Sequence, residues 1–266
     1  MVHPDPSSRP VDPAAHSPAS TAVACSLWWA DPSWAGPRLL ALLDDSERAR
    51  RARFQRAADR DRYTVAHALA RVACAHAAGC APEEVGFAHR CRSCERRGER
   101  DREPHGKPHP AGPAAGLEMS LSHSGDRVVL ALTRGAAVGV DVEQVTGARD
   151  VDGLAKYALA GGEHADWRAL PAPVRTAGFF TYWARKEALL KATGDGLSEG
   201  LTVVQVGPPH EPAVVRSWRT PEAPGAVYLT DLDAGADYRA ALAVLAPGEV
   251  RVAHQDAAPL LGVHPR

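Results

Sequence analysis

The chain has 266 residues, and 31 Lys and Arg against 32 Asp and Glu leave a formal net charge of −1. That balance argues against a protein that wraps nucleic acid or lies on an anionic membrane. Hydrophobic residues at 45% and charged residues at 24% supply a packed core for one or two soluble domains. No apolar run approaches the roughly 20 residues of a membrane helix, and residues 1–15 lack the basic-then-apolar order of a secretory signal, so a cytoplasmic protein is expected. The cysteines Cys25, Cys74, Cys80, Cys91 and Cys94 are odd in number, which suits reduced thiols better than a disulfide scaffold.

In chain order, residues 1–20 are rich in Pro, Ser, His and Ala and are expected to be a disordered tail. Residues 22–29 read as a strand and 37–43 as a short helix. Ser46 is a plausible cap for an arginine-rich stretch ending near Phe54, in which seven Arg face three acids between residues 46 and 62. Tyr63, Ala66, Leu69, Ala70 and Ala73 recur at helical spacing, predicting a helix over 59–78 that Gly79 stops. A strand is expected at 85–89, and 91–113 reads as a charged loop. Residues 117–122 and 127–133 flank Ser124-Gly125-Asp126 as a hairpin, with a third strand at 137–142. Helices follow at about 151–159 and 174–193, and strands at 201–206, 226–230 and 238–246. Both halves share a plan of helices plus a meander, without a residue-level repeat.

Three stretches carry candidate chemistry. In Val138-Gly139-Val140-Asp141-Val142-Glu143 the strand period of two points both carboxylates to one face, a pattern suited to a hard cation such as Mg²⁺ or to solvated acids at a strand end. Further on, Trp183, Glu187 and Lys191 lie four apart on one helix flank beside a cluster of Phe179, Phe180 and Tyr182, so a carboxylate and an ammonium sit on a largely enclosed element. Finally, Gly106-Lys107-Pro108 and Ser122-His123-Ser124-Gly125 offer small hydroxyls, a histidine and turn amides to a phosphate. A serine hydrolase is disfavoured because no G-x-S-x-G elbow is present.

Taken together, these motifs resemble the 4'-phosphopantetheinyl transferases of the two-lobed type that activates peptide and polyketide synthetases. The family order is an apolar-Gly-apolar-Asp-x-Glu strand, some forty residues of spacer, then aromatic-x-x-Lys-Glu-x-x-x-Lys, and here Trp183 follows Asp141 at that distance. The resemblance implies an α+β fold with a pseudo-twofold pair of lobes, 21–137 and 138–250, and a C-terminal tail at 251–266. It implies transfer of the phosphopantetheine arm of coenzyme A to a serine of an apo acyl- or peptidyl-carrier protein, with Mg²⁺, releasing adenosine 3',5'-bisphosphate. By match, Asp141, Glu143 and Glu187 would hold the metal, with Glu187, Lys191 and Asp141 catalytic and Glu187 or a water as base. Arg62, Lys107, Ser122, His123, Lys186 and Lys191 would bind coenzyme A, with Arg48, Arg50 and Arg51 as further candidates. A monomer that engages neither nucleic acid nor membrane is expected.

Two features lie outside that pattern. Cys91-x-x-Cys94, flanked by His89, His105 and His109, is either a zinc clip or a reduced, solvated loop, and the lack of a second C-x-x-C favours the loop. The arginines of 48–62 and 90–102 would also fit a nucleic-acid module, which the near-neutral charge and missing aromatic platform count against.

Overall fold

The computed structural model describes residues 22–98, 105–147, 149–196, 200–220 and 222–264, so the tail expected at 1–20 lies outside the described residues. The architecture is α+β, as expected, with two principal sheets each covered by a helix of 22 residues.

The first sheet has the order β11 (Val250–Asp256), β1 (Val23–Ala30), β5 (Arg127–Arg134), β4 (Leu117–Ser124). Helix α3 (Ala57–Ala78) packs on it. Small residues such as Ala66, Ala70 and Ala73 are buried there beside Leu69 and Val65, which lets the helix axis come close to the sheet. Gly79 ends α3 in the left-handed conformation. Before it, α1 (Pro37–Ala41) and α2 (Asp45–Ala52) lean on the same core. The cap of α2 is Asp44, not Ser46: its carboxylate accepts from Glu47 N at 2.8 Å while Glu47 Oε2 accepts from Asp44 N at 2.9 Å, a reciprocal pair a serine two residues on could not replace.

The second sheet has the order β6 (Val138–Gln144), β10 (Tyr238–Val244), β9 (Tyr228–Leu232), and α7 (Ala172–Thr193) lies across it. Two shorter helices, α5 (Val151–Ala158) and α6 (Gly161–Ala169), the latter not foreseen, complete this lobe with a small sheet of β7 (Val204–Val206) and β8 (Val215–Trp218). Its core gathers Trp167, Phe179, Phe180 and Tyr182, so the aromatic cluster of α7 is enclosed.

Residues expected to trail as a tail from 251 instead form β11, parallel to β1 in the register Val23↔Val250 to Trp29↔Asp256, followed by α8 (Ala257–Leu261), which packs on α3. The ladder satisfies the β1 edge, and buried Ala257 and Leu261 join the first core. The expected loop at 91–113 likewise contains α4 (Arg92–Arg97) and β3 (Lys107–Ala111), the latter paired, among the described residues, with β2 (Gly86–Arg90) alone. Prolines 108 and 110 made that stretch look unlike a strand, yet an edge strand with one partner accommodates them. Among the described residues no helix is long and apolar enough to cross a membrane.

Candidate active site

The two sheets meet where β4 runs beside β6. Alternate serines of β4 take the place of a ladder partner: Ser120, Ser122 and Ser124 Oγ accept hydrogen bonds from Val140 N (3.0 Å), Val142 N (3.3 Å) and Gln144 N (3.0 Å). The same hydroxyls then reach the acids of β6. Ser122 Oγ donates to Asp141 Oδ1 at 2.8 Å and Ser124 Oγ to Glu143 Oε2 at 3.3 Å. The period of two that aligns Asp141 with Glu143 therefore also aligns the serines that orient them.

On the other side of β6, Gly139 determines how close α7 lies. A Cβ there would stand 1.9 Å from Ala188 O and 2.4 Å from Ala192 N, so any side chain would lift the helix off the strand. This approach brings Glu187 and Lys191 beside Asp141. Lys191 Nζ donates to Asp141 Oδ1 at 2.6 Å and to Ser122 Oγ at 3.0 Å. Trp183, Glu187 and Lys191, four apart on α7, line a cavity of about 330 Å³ together with Asp141, Glu143, Ser122 and His123.

Three carboxylates in so small a volume perturb one another. Burial, with repulsion from Asp141 and Glu143, pushes the Glu187 carboxyl up to about 7 against the pull of Lys191. Glu143 is raised by burial and by Asp141. For Lys191, burial opposes the charge but Asp141 and Glu187 outweigh it and raise its pKa. Two oxygens, Asp141 Oδ2 and Glu187 Oε1, are buried without a hydrogen-bond partner. Unpartnered acceptors on converging carboxylates are costly unless a cation meets them, and an all-oxygen set of this kind fits Mg²⁺.

A larger cavity of about 570 Å³ adjoins this one, sharing His123, Glu187, Lys191 and Leu121. Its walls come from both lobes: Arg50 of α2, Tyr63 and His67 of α3, Phe87 and His89 of β2, Lys107 of β3, Met119 of β4 and Leu190 of α7. Phe54 stacks near Tyr63 at 5.4 Å and Tyr63 on His67 at 3.9 Å between ring centroids. His123 stands at an exposed position, and loss of water around its imidazole where the two cavities meet, with the neighbouring Lys191 and Arg62 charges, holds its pKa down to about 4.

Most predicted residues converge here, but three are placed differently. Lys186 lies in the core of the second lobe with no exposed surface, its ammonium held by Glu163 Oε2 at 2.5 Å, Ala158 O at 2.9 Å and Leu201 O at 3.1 Å. One residue before Glu187, it points about 100° away around the helix, and all three donors are taken. Its neighbour Arg185 is equally buried, gripping both oxygens of Asp231 at 2.8 and 2.6 Å and the carbonyls of Gly207, Pro208 and Glu211. Lys107 borders the large cavity, but its ammonium donates to Val138 O at 3.0 Å and Ala192 O at 3.2 Å and lies 3.5 Å from Glu118. It closes the seam between β3, β6 and α7. Arg62 is not part of either cavity wall; it pairs with Asp59 and donates to Gly125 O at 3.1 Å.

Of the alternative arginines, Arg51 donates to Thr64 at 2.6 Å and Arg48 to Ala41 O at 3.0 Å, whereas Arg50 reaches the cavity wall. The sequence did not single out Tyr63, His67 or Phe87 as site residues, and His89 was weighed only as a flank of the Cys91-x-x-Cys94 stretch. The four-residue spacing of Tyr63 and His67 on α3 was the available signal for two of them.

Two helix-backed sheets with three carboxylates at their seam and an aromatic-walled cavity of mixed charge beside them make a site able to hold a cation next to a charged ligand. The model of the 4'-phosphopantetheinyl transferase superfamily matches residues 137–243. The chain is 31% identical over 179 residues to the 4'-phosphopantetheinyl transferase HetI of Nostoc sp., covering 67% of this chain and 71% of HetI. It is 27% identical over 199 residues to the 4'-phosphopantetheinyl transferase of Bacillus subtilis, covering 70% and 80% respectively. The chain belongs to the 4'-phosphopantetheinyl transferase superfamily, enzymes that transfer phosphopantetheine to carrier proteins.

Proposed function

We propose that this enzyme moves the 4'-phosphopantetheine arm of coenzyme A onto the serine hydroxyl of an apo acyl- or peptidyl-carrier protein, releasing adenosine 3',5'-bisphosphate, and acts as a cytoplasmic monomer. The observation that carries the reading is the convergence of Asp141, Glu143 and Glu187, with two buried unpartnered oxygens, at the junction of the two cavities. Asp141, Glu143 and Glu187 would hold Mg²⁺, which when bound neutralises charge on the pyrophosphate oxygens. Lys191 presents an ammonium to the same phosphates, and Ser122 and Ser124 keep the two strand acids in their rotamers.

The larger cavity suits the rest of coenzyme A. Phe54, Tyr63 and Phe87 offer apolar and aromatic surface, while Arg50 offers positive charge and His89 and His123 offer neutral imidazole hydrogen-bonding groups at its edges. Glu187, placed between the metal site and the cavity that Trp183 and Lys191 line, takes the proton of the incoming hydroxyl, bound Mg²⁺ keeping its carboxylate ionised and so able to accept it. Because the walls come from both lobes, ligand binding links them and stabilises the whole fold.

The test is incubation with coenzyme A, Mg²⁺ and an apo carrier protein, read by intact-mass spectrometry. The carrier should gain the mass of one phosphopantetheine group on its serine, and a serine-to-alanine carrier should gain nothing. An unmodified carrier across a panel of acyl and peptidyl types would overturn the reading.

A further inference from the structure

Away from the carboxylates, the side chains of Cys91, Cys94 and His105 bring their ligand atoms within 4.8 Å of one another, with Cys94 Sγ and His105 Nε2 at 3.1 Å. Among the described residues these three have ligand atoms close enough to meet on one ion as they stand, whereas the carboxylates of Asp141, Glu143 and Glu187 would have to draw together around theirs. Eleven positions separate Cys94 from His105 in sequence, so their meeting is a product of the fold. Strands β2 and β3 pair to their ends at Arg90↔Lys107, and the chain then leaves both strands on the same side. Gly106 makes the crossing possible: its φ is +96°, and a Cβ there would stand 2.2 Å from Arg90 O. No other residue lets the backbone approach so near, and the approach sets His105 over the first turn of α4.

We propose that Cys91, Cys94 and His105 form a Zn²⁺ site that clips α4 to the β2–β3 hairpin. Two thiolates and an imidazole are a borderline-soft donor set that selects zinc over the magnesium that suits the carboxylate cluster. Zn–S bonds of about 2.3 Å and Zn–N bonds of about 2.0 Å place tetrahedral ligands roughly 3.5–3.8 Å apart, inside the span the three atoms already cover. Neither cysteine is in a disulfide.

The clip has a structural task. Helix α4 is six residues long and too short to be stable alone. Through Arg92, which donates to Thr193 O at 3.0 Å, and Arg96, 3.0 Å from Asp195, it is also the bridge from the first lobe to the end of α7. Cys91 itself borders the large cavity, so the metal would fix one wall of the substrate cavity without touching the reaction.

The test uses the full chain without a histidine tag, reduced with a phosphine, stripped with chelator and titrated with Zn²⁺ against a chromophoric competitor. Uptake of one zinc per chain, a rise in melting temperature with zinc, and a thiolate-to-metal charge-transfer band on replacing zinc by Co²⁺ are expected. Cys91→Ser and His105→Asn, at partly exposed positions, should lose the site while keeping the far-ultraviolet circular dichroism of the native chain. Asp141→Ala should still bind one zinc. No uptake by the wild type, equal uptake by Cys91→Ser, or loss of uptake in Asp141→Ala would overturn the proposal.

Discussion

Glu187 offers a test of the site that needs no substrate. In the metal-free protein its carboxyl is raised from 4.5 to about 7 by burial and by Asp141 and Glu143, so the folded chain keeps a proton that the unfolded chain gives up near 4.5. Where the folded state binds more protons, stability falls as pH rises. The loss begins near the unfolded value and is complete above the folded one. Carrying a buried carboxyl over that range costs about 3 kcal/mol at full ionisation. Glu187→Gln keeps the shape and removes the titration. With chelator present, urea unfolding should find the variant within about 1 kcal/mol of wild type near about pH 5, and more stable by about 2–3 kcal/mol near about pH 8. Added Mg²⁺ should reverse the order at the higher pH by stabilising the ionised wild type alone. A gap that does not change with pH, or a variant less stable at the higher pH, would refute the argument that the three carboxylates strain one another.

Asp141→Ala should lower turnover by two or more orders of magnitude, about 3 kcal/mol of transition-state stabilisation, with a smaller effect on the Michaelis constant for coenzyme A, as steady-state kinetics will show. Lys186→Met should destabilise the fold by about 3 kcal/mol or more, since Glu163 is left charged and buried, yet leave that Michaelis constant unchanged in kinetics at low temperature; a large rise would return Lys186 to the substrate site. Arg50→Ala should weaken discrimination between coenzyme A and its 3'-dephospho form, whereas Arg62→Ala, held by Asp59 and Gly125, should leave it intact. Ser122→Ala should lower turnover by about tenfold with little change in the Michaelis constant, because it frees the Asp141 carboxylate that Ser122 and Lys191 hold; serine-like activity in the alanine variant would make the hydroxyl dispensable.

Local periodicity was enough to place the long helices and the central strands, and with them the shared face of Asp141 and Glu143 and the shared flank of Trp183, Glu187 and Lys191, because a period of 2 or 3.6 fixes direction within one element. The glycine of the β6 motif was legible as a letter, but its reason appeared only once α7 lay against it with Ala188 O in the space of a side chain. Lys186 and Lys191 are alike in sequence, both cations on one helix beside Glu187. Tertiary packing separates them, turning one into the core against Glu163 and the other onto Asp141. Arg62 and Arg50, β11 and the meeting of His105 with Cys94 were decided in the same way. Each depends on partners dozens to hundreds of residues away or on a turn that folds back. Which cation becomes structural and which faces substrate follows from where burial leaves a carboxylate or carbonyl for it, and that is set by the packing of elements against one another.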